Sequence, residues 1–373
     1  MTIRLLAACS PGEIRIALAG DDVDQGWTLL DYALWRPGAP DGVGDLHRGR
    51  VDAVMPALGG VFVVLETGSG FLPLRDGTTG LSQGDPVLVR VSRSAQGGKG
   101  PRLVLVPHPA DQKLSGPVGL LSHGANPLVR LADTYPDATI TTDDPSLAST
   151  LAPALRHRIR LSEEAIPAEI EALIDELSNP EVTLPGGMRA SIHPTPALVA
   201  IDMDTGSASA GRQTKQTAQF AANRLAIAPL LHQLRLRNLS GAILVDLAGL
   251  ASRKRAALRP DIEAALALDP LQPRLLGFTA LGLAEILRPR IHPPLHELLS
   301  GPHAAALAAL REAVRYVATP PHRLPRLIAG LGVATALERD GVAREALARR
   351  AGQPISIRTD PSLPSLAWKL EHD

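Results

Sequence analysis

Aromatic side chains are scarce in this chain of 373 residues, and cysteine is almost absent. Only 3% of the residues are aromatic, and Cys9 is the one cysteine, so no disulfide and no cysteine-based zinc site can form within a single chain. Neither sign of charge dominates, because 38 Lys and Arg residues balance 38 Asp and Glu residues. The overall charge therefore does not indicate a nucleic-acid or a membrane partner.

Long hydrophobic runs are missing as well. No apolar stretch approaches the ~20 residues that a membrane span requires. The stretch before Cys9 resembles a lipoprotein cleavage site, but it is too short for a signal sequence and Arg4 interrupts it. We therefore expect a soluble, cytoplasmic protein with no membrane partner, long enough for two or three domains.

Two short hydrophobic runs that end in aspartate are the main chemical signal. Residues 197–204 read ALVAIDMD and residues 242–246 read AILVD, as expected of strands buried on both faces. Side by side, such strands would bring Asp202 and Asp246 together at the sheet edge. A divalent cation is the usual way to keep two close carboxylates ionised, so the pair predicts a Mg²⁺ site and phosphate chemistry.

The surrounding sequence suits a polyanionic substrate. Residues 205–290 contain twelve Lys and Arg residues against five Asp and Glu residues. Asp204 follows Asp202 by two residues and would point the same way on a strand, so we expect it to face the metal too. The alternatives are aspartates that only cap turns and basic residues that form solvated helix faces.

Five short strands with glycine turns lie between residues 49 and 106. This pattern predicts a small barrel such as an OB fold. Two of the four phenylalanines, Phe62 and Phe71, lie on these strands. Their spacing alone favours a place in the barrel core.

Several segments, in order along the chain, resemble the ribonuclease E/G family of bacterial endoribonucleases. The resemblance covers nearly the whole chain, and its most specific part is QLRLRNLSGAILVD at residues 233–246. The other segments are LHRGRV at 46–51, GFLPL at 70–74, GKG at 98–100, LPGG at 184–187, AID at 200–202 and GLAE at 282–285.

The resemblance implies an α+β multidomain architecture. An OB-type RNA-binding barrel (residues 41–108) would be inserted in a ribonuclease-H-like subdomain (1–40 and 109–183). A deoxyribonuclease-I-like catalytic domain (184–300) and a small C-terminal α/β domain (301–373) would follow.

The resemblance also implies a Mg²⁺-dependent endoribonuclease, with Mn²⁺ as a substitute. Such an enzyme hydrolyses single-stranded RNA to 5′-phosphate and 3′-hydroxyl ends. Asp202 and Asp246 would be the catalytic, metal-binding carboxylates, with Asp204 as a further metal ligand. The family usually has asparagine at position 204, and the extra charge here would either tighten metal binding or oppose the approach of phosphate.

Seven positions would contact RNA according to the resemblance. Phe62 and Phe71 would stack on bases, so the resemblance reverses the core interpretation that spacing favours. Stacking on an aromatic side chain contributes ~1–3 kcal/mol per base. The basic residues would hold phosphates. They are Lys99 on the barrel, and Arg235, Arg237, Arg288 and Arg290 near the carboxylates.

Two parts of the family pattern are missing. We find no 5′-end sensor segment and no Cys-Pro-x-Cys after Arg290, where the chain instead has His292, His296 and His303. Isolated loop histidines rarely bind a metal, so we expect no zinc and a monomer or homodimer rather than a zinc-linked tetramer. Two alternatives remain: a catalytically impaired RNA-binding protein of the same fold, and a hydrolase of another phosphodiester such as DNA.

Overall fold

The computed structural model describes residues 1–24, 26–74, 80–107, 114–151, 153–205, 215–320 and 324–371. The predicted boundary between barrel and scaffold at residues 108 and 109 lies outside these ranges. The described residues form four sheets with helices packed against three of them.

The first sheet begins as an antiparallel meander. Its strands are β1 (Thr2–Ser10), β2 (Glu13–Asp22) and β3 (Gly26–Trp35). Gly12 makes the tight turn between the first two, with a φ of 78° that favours glycine. The chain then leaves this sheet for the barrel.

The barrel is closed by five strands. They are β4 (Leu46–Met55), β5 (Gly60–Leu65), β6 (Gly68–Pro73), β7 (Pro86–Arg93) and β8 (Arg102–Leu105). The ring runs β4-β5-β6-β8-β7 and returns to β4. The closed barrel predicted from the strand and turn pattern is therefore present. Strand β9 (Gly119–Ser122), outside the predicted barrel range, adds to β4.

The chain then returns to the first sheet. The elements are α1 (Pro127–Thr134), β10 (Thr139–Thr142), α2 (Pro145–Thr150), β11 (Ile159–Leu161) and α3 (Ala168–Asp175). Strands β10 and β11 extend the sheet in parallel from β1, giving the order β11-β10-β1-β2-β3. Leu128 of α1 packs on one face and Ile170 of α3 on the other, so helices cover both faces.

A six-stranded sheet carries the two predicted aspartates. Its elements are β12 (Glu181–Leu184), β13 (Met188–Pro194), β14 (Val199–Thr205), α4 (Lys215–Leu236), β15 (Gly241–Asp246), α5 (Ser252–Ala256), α6 (Arg259–Leu266), β16 (Arg274–Phe278) and β17 (Ala284–Arg288). The order is β12-β13-β14-β15-β17-β16, and β14 with β15 is its parallel pair. Helices α4 and α6 bury one face.

The other face of this sheet is open, which corrects the prediction of strands buried on both faces. In β14, Ile201 and Met203 are buried, whereas Asp202 and Asp204 are exposed. Asp202 thus lies within the strand, which continues to Thr205, rather than at its end. The run resembles a doubly buried strand because Val199 and Ala200 add apolar residues on both faces.

The chain ends in a smaller α/β unit. It consists of α7 (Leu295–Leu298), α8 (Gly301–Ala318), β18 (Arg326–Ala329), α9 (Leu331–Arg339), α10 (Gly341–Ala351), β19 (Ile357–Thr359) and β20 (Trp368–Glu371). The three strands pair in the order β19-β18-β20, against helices α8, α9 and α10.

A buried carboxylate joins this unit to the first sheet. Glu13 of β2 is 3% exposed and accepts hydrogen bonds from Arg36 at 2.8 Å and from Arg311 of α8 at 2.8 Å. Each carboxylate oxygen thus holds one guanidinium group, and the buried charge is paired twice.

Replacing this carboxylate should unfold the protein more easily. We expect Glu13→Ala to lower the free energy of unfolding by about 3 kcal/mol, because it leaves buried arginine charge without a partner. Urea denaturation measures this change. Glu312→Ala, which removes an exposed pair with Arg315 at 3.6 Å, is the matched control. Equal small effects of both variants would contradict the structural role of Glu13.

Candidate functional site

The two predicted aspartates lie side by side. Asp202 of β14 and Asp246 of β15 are direct partners in the parallel register. Neighbouring strands are ~4.8 Å apart, so the two side chains project from adjacent points of the sheet. Both belong to the open face, where Asp202 is exposed and the Asp246 side chain is 45% exposed. The pair is therefore accessible to a metal ion and a substrate.

Arg255 binds one member of the pair. Its Nη1 donates to Oδ1 of Asp246 at 2.5 Å, and its Nε donates to the carbonyl of Leu250 at 2.7 Å. In the sequence, Arg255 is distinguished only as one of the basic residues between 205 and 290. Its role depends on the turn after β15, which brings α5 back beside the end of that strand.

Polar residues near the start of α4 hold this turn. Asn223 is fully buried, and its amide group both donates to the carbonyl and accepts from the N–H of Ala248, at 3.0 and 3.1 Å. Gln216 donates to the carbonyl of Gly249 at 2.9 Å. The backbone that follows Asp246 is thus fixed by hydrogen bonds from the helix.

The chemistry of the pair fits a Mg²⁺ ion, which is usually held by one or two carboxylates, with water and substrate phosphate completing its shell. Across the described ranges, no group of three or more His, Cys, Asp or Glu side chains is arranged to hold a metal.

Asp204 lies on the same face, about 6.7 Å further along β14 at two residues of strand rise. Its direct cross-strand partner is Arg189 of β13, an exposed arginine that the sequence analysis did not single out. Opposed side chains on antiparallel strands have Cβ atoms ~5 Å apart, so opposite charges there attract. Arg189 thus places positive charge beside the additional carboxylate.

Phe62 and Phe71 form a pair on the outside of the barrel. They are cross-strand partners with ring centroids 5.5 Å apart and ring planes at 65°. Both are half-buried and stand apart from the barrel core, which Val61, Val63 and Leu72 fill from the alternate positions. The structure therefore does not place these phenylalanines in the core, the alternative that spacing alone favoured.

Lys99 is exposed at the tip of the β7–β8 hairpin. It pairs with Gln96 across Gly97 and Gly98, whose φ values of 57° and 74° suit a tight two-residue turn. Gly100 lies against the carbonyl of Ser69. The ammonium group of Lys99 is thus available to a ligand on the barrel surface.

Three of the four arginines predicted to bind RNA phosphate have protein partners instead. Arg235 binds Asp31 at 2.8 Å, and Arg288, 3% exposed, binds Asp269 at 2.7 Å. Arg237 is 7% exposed and donates to the carbonyl of Asn179 at 2.6 Å. Their guanidinium groups hold the fold together in this conformation.

These arginines also lie at the wrong end of the sheet for the carboxylates. Helix α4 begins beside the turn after Asp246 and ends near the start of β15, and its 22 residues span about 33 Å. Arg288 pairs with Gly241, at the opposite end of β15 from Asp246. The sequence predicted that these arginines lie near the carboxylates, but the structure places them far apart. Arg290 is at this same far end but exposed.

The C-terminal histidines are not gathered together. His292 contacts Asp41 at 2.5 Å, whereas His303 contacts Asp340 at 2.8 Å. Burial lowers the pKa of His296, which favours its neutral form. These side chains serve separate structural contacts.

A cavity of about 550 Å³ lies between α1, the segment after β3 and the end of β17. Asp202 and Asp246 do not line it. Several charged groups on its walls pair with one another, for example Arg235 with Asp31 and Arg288 with Asp269. The cavity is therefore distinct from the carboxylate site.

Comparison with known proteins finds relatives that match the middle of the chain. A profile described as "Ribonuclease E/G family" matches residues 137–291. Ribonuclease E of Nostoc sp. is 34% identical over 157 residues, which are 42% of this chain and 23% of that protein. Ribonuclease E of Escherichia coli K12 is 32% identical over 150 residues, 39% of this chain and 14% of that protein.

Ribonuclease G of Escherichia coli K12 is 31% identical over 132 residues, which are 35% of this chain and 27% of that protein. The matched part thus spans about a quarter or less of these relatives. The matched residues include both carboxylates and Arg255. Separately, no helix in the described parts of the chain has both the length and the apolar character to cross a membrane.

Proposed function

We propose that this chain, whose residues 137–291 match the ribonuclease E/G family, is a metal-dependent endoribonuclease that hydrolyses single-stranded RNA to 5′-phosphate and 3′-hydroxyl ends. The observation that carries the proposal is the direct pairing of Asp202 with Asp246 on an open sheet face. We further propose that it acts in the cytoplasm, in RNA processing or decay, as a monomer or homodimer.

The residues of the site have separate tasks in this proposal. A Mg²⁺ or Mn²⁺ ion held by Asp202 and Asp246 would polarise the scissile phosphate and activate a water molecule. Arg255 fixes the Asp246 carboxylate through its 2.5 Å contact and leaves the second oxygen of that carboxylate for the ion. The guanidinium group also offsets negative charge where a phosphate would approach.

The barrel is the proposed RNA-binding module. Its strand order and the half-buried aromatic pair on its outer surface support an OB-type barrel in which Phe62 and Phe71 stack on bases and Lys99 contacts a phosphate. The ribonuclease-H-like scaffold, the deoxyribonuclease-I-like catalytic domain and their boundaries complete the proposed architecture.

The second candidate function is RNA binding without cleavage. Asp204 favours it, because a third carboxylate on the same face opposes the approach of phosphate. Arg189 weakens this argument, since it stands directly opposite Asp204. A nuclease that acts on DNA would use the same carboxylates, so both RNA and DNA must be tested as substrates.

Removing either paired carboxylate should slow cleavage strongly. We expect Asp202→Asn and Asp246→Asn to cut a fluorescent single-stranded RNA on the order of a hundredfold more slowly, because the metal contributes several kcal/mol to the reaction. A chelator should stop wild-type cleavage, and Mn²⁺ should restore it. A single-stranded DNA of the same sequence tests the sugar preference.

Asp133→Asn, which removes an exposed carboxylate from α1, is the control for these variants and should cleave as the wild type does. Tight RNA binding with no cleavage in Mg²⁺ or Mn²⁺ would overturn the nuclease proposal in favour of the second candidate.

Arg189 should matter only while Asp204 is charged. We expect Arg189→Ala to lower kcat/KM roughly two- to fivefold, the range of an exposed charge pair, and to have little effect in an Asp204→Asn background. A double-mutant cycle on cleavage of single-stranded RNA measures this coupling. Arg274→Ala, which removes another exposed arginine of the same sheet, is the control. Additive effects would show that the two residues act independently.

Cleavage should depend little on the 5′ end of the RNA, because we identified no sensor segment in the sequence. Rates measured on the same RNA with a 5′-monophosphate and with a 5′-triphosphate should agree within about twofold, as expected when no group binds the end differently. A strong preference for the monophosphate would show that a sensor exists among residues 109–183.

A further inference from the structure

We propose that Arg93, Arg102 and Arg290 form a phosphate-binding site for single-stranded RNA where the barrel meets the six-stranded sheet. The inference rests on the proposed function and names a further contact for its substrate. Arg290 was expected from the sequence to contact RNA, whereas Arg93 and Arg102 were not.

The barrel register brings two of these arginines together. Arg93 of β7 and Arg102 of β8 are direct cross-strand partners next to a register shift between Val91 and Arg93. Arg102 is in turn the partner of Phe71 in β6, and the Phe71 N–H donates to the carbonyl of Pro101 at 2.9 Å. A base stacked on Phe71 would therefore have its phosphate beside Arg102.

Two hydrogen bonds bring the third arginine to the same place. The N–H and the hydroxyl of Ser94 both donate to the carbonyl of Ile291, at 2.9 and 3.1 Å. Ser94 directly follows Arg93, and Ile291 directly follows Arg290. The junction thus joins a residue of the barrel to the end of the catalytic sheet, with one arginine on each side.

The guanidinium group of Arg290 packs against Gly241. A Cβ atom at position 241 would clash with Nε of Arg290. Gly241 also has a φ of 88°, which other residues rarely adopt. The absence of a side chain at position 241 therefore makes space for the Arg290 guanidinium group.

The charges of this cluster are not neutralised by nearby carboxylates. Among the described residues, no ion pair or side-chain hydrogen bond of Arg93, Arg102 or Arg290 is found, and Nε of Arg93 is buried without a partner. Burial, and then the like charges of Arg102 and Arg290, lower the pKa of Arg93. Like charges held together without an anion repel each other, so an anion bound between them would relieve both the repulsion and the unsatisfied Nε.

A phosphate of the RNA backbone is the anion that fits this position. Guanidinium groups bind phosphate with paired hydrogen bonds, and Phe62 with Phe71 offers a stacking surface beside Arg102. The cluster lies roughly 17 Å from Asp246, at the other end of β15, by ~3.3 Å per residue. It would therefore hold RNA away from the scissile bond and affect KM rather than kcat.

Binding measured at several salt concentrations tests the site. The probe is a fluorescein-labelled oligo(U). Its binding to the protein is followed by fluorescence anisotropy, in a buffer that contains a metal chelator so that no cleavage occurs. For Arg93→Gln combined with Arg102→Gln, we expect the slope of log K against log salt to fall by about 1.4, since each phosphate contact on a single strand contributes ~0.7. Affinity at 0.1 M salt should fall on the order of tenfold.

Two further variants control for charge and for folding. Arg315→Gln combined with Arg349→Gln removes the same charge from exposed positions on α8 and α10 and should leave the slope unchanged. Arg93→Lys combined with Arg102→Lys keeps the charge and should recover most of the slope. Thermal unfolding of each variant shows that it is folded.

The outcomes separate this inference from the proposed function. The wild-type protein could bind and cleave RNA while the glutamine variant has the same salt slope and KM as the wild type. That result would overturn this inference but leave the proposed function intact. Inorganic phosphate could instead stabilise the wild-type protein against thermal unfolding but not the glutamine variant, while both bind RNA equally well. That result would show a site for free anions and overturn the RNA assignment. A raised KM with an unchanged kcat supports the site.

Discussion

The parallel pairing of β14 with β15 is the constraint on which the candidate site depends. It sets Asp202 directly against Asp246 and turns both side chains to the open face of the sheet. A shift of the register by one residue would turn one carboxylate into the core that α4 and α6 cover. The buried alternate positions, such as Ile201 and Val245, fix this register because they fill that core.

The same sheet separates two chemical regions. Its carboxylate end has the Asp pair, Arg255 and the turn that Asn223 holds. Its other end has Arg288 in a buried ion pair and Arg290 at the junction with the barrel. The proposed RNA contacts at the junction with the barrel and the proposed carboxylate site are thus about one strand length apart, so a single-stranded polymer could occupy both.

The sequence predicted the parts of the site that local pattern determines. Two hydrophobic runs with terminal aspartates were enough to predict neighbouring strands and a carboxylate pair, and glycine-punctuated strands were enough to predict the closed barrel. The pattern did not reveal the open face, because Ala200 and Leu244 supply apolar residues on the exposed side.

Long-range partners account for what the sequence analysis missed. Arg235 and Arg288 looked like substrate contacts because they lie near the aspartates in sequence, but Asp31 and Asp269 bind them in the fold. Arg189 and Arg255 gave no signal beyond their charge. Only the strand register and the return of α5 bring them beside Asp204 and Asp246.

We propose that the paired carboxylates hold a divalent cation. Anomalous diffraction from crystals soaked in Mn²⁺ tests this most directly, since Mn²⁺ can be located by its own signal. We expect a manganese peak within bonding distance of carboxylate oxygens of both Asp202 and Asp246, and its loss in Asp246→Asn. A peak at another site in a protein that cleaves RNA with Mn²⁺ would contradict it.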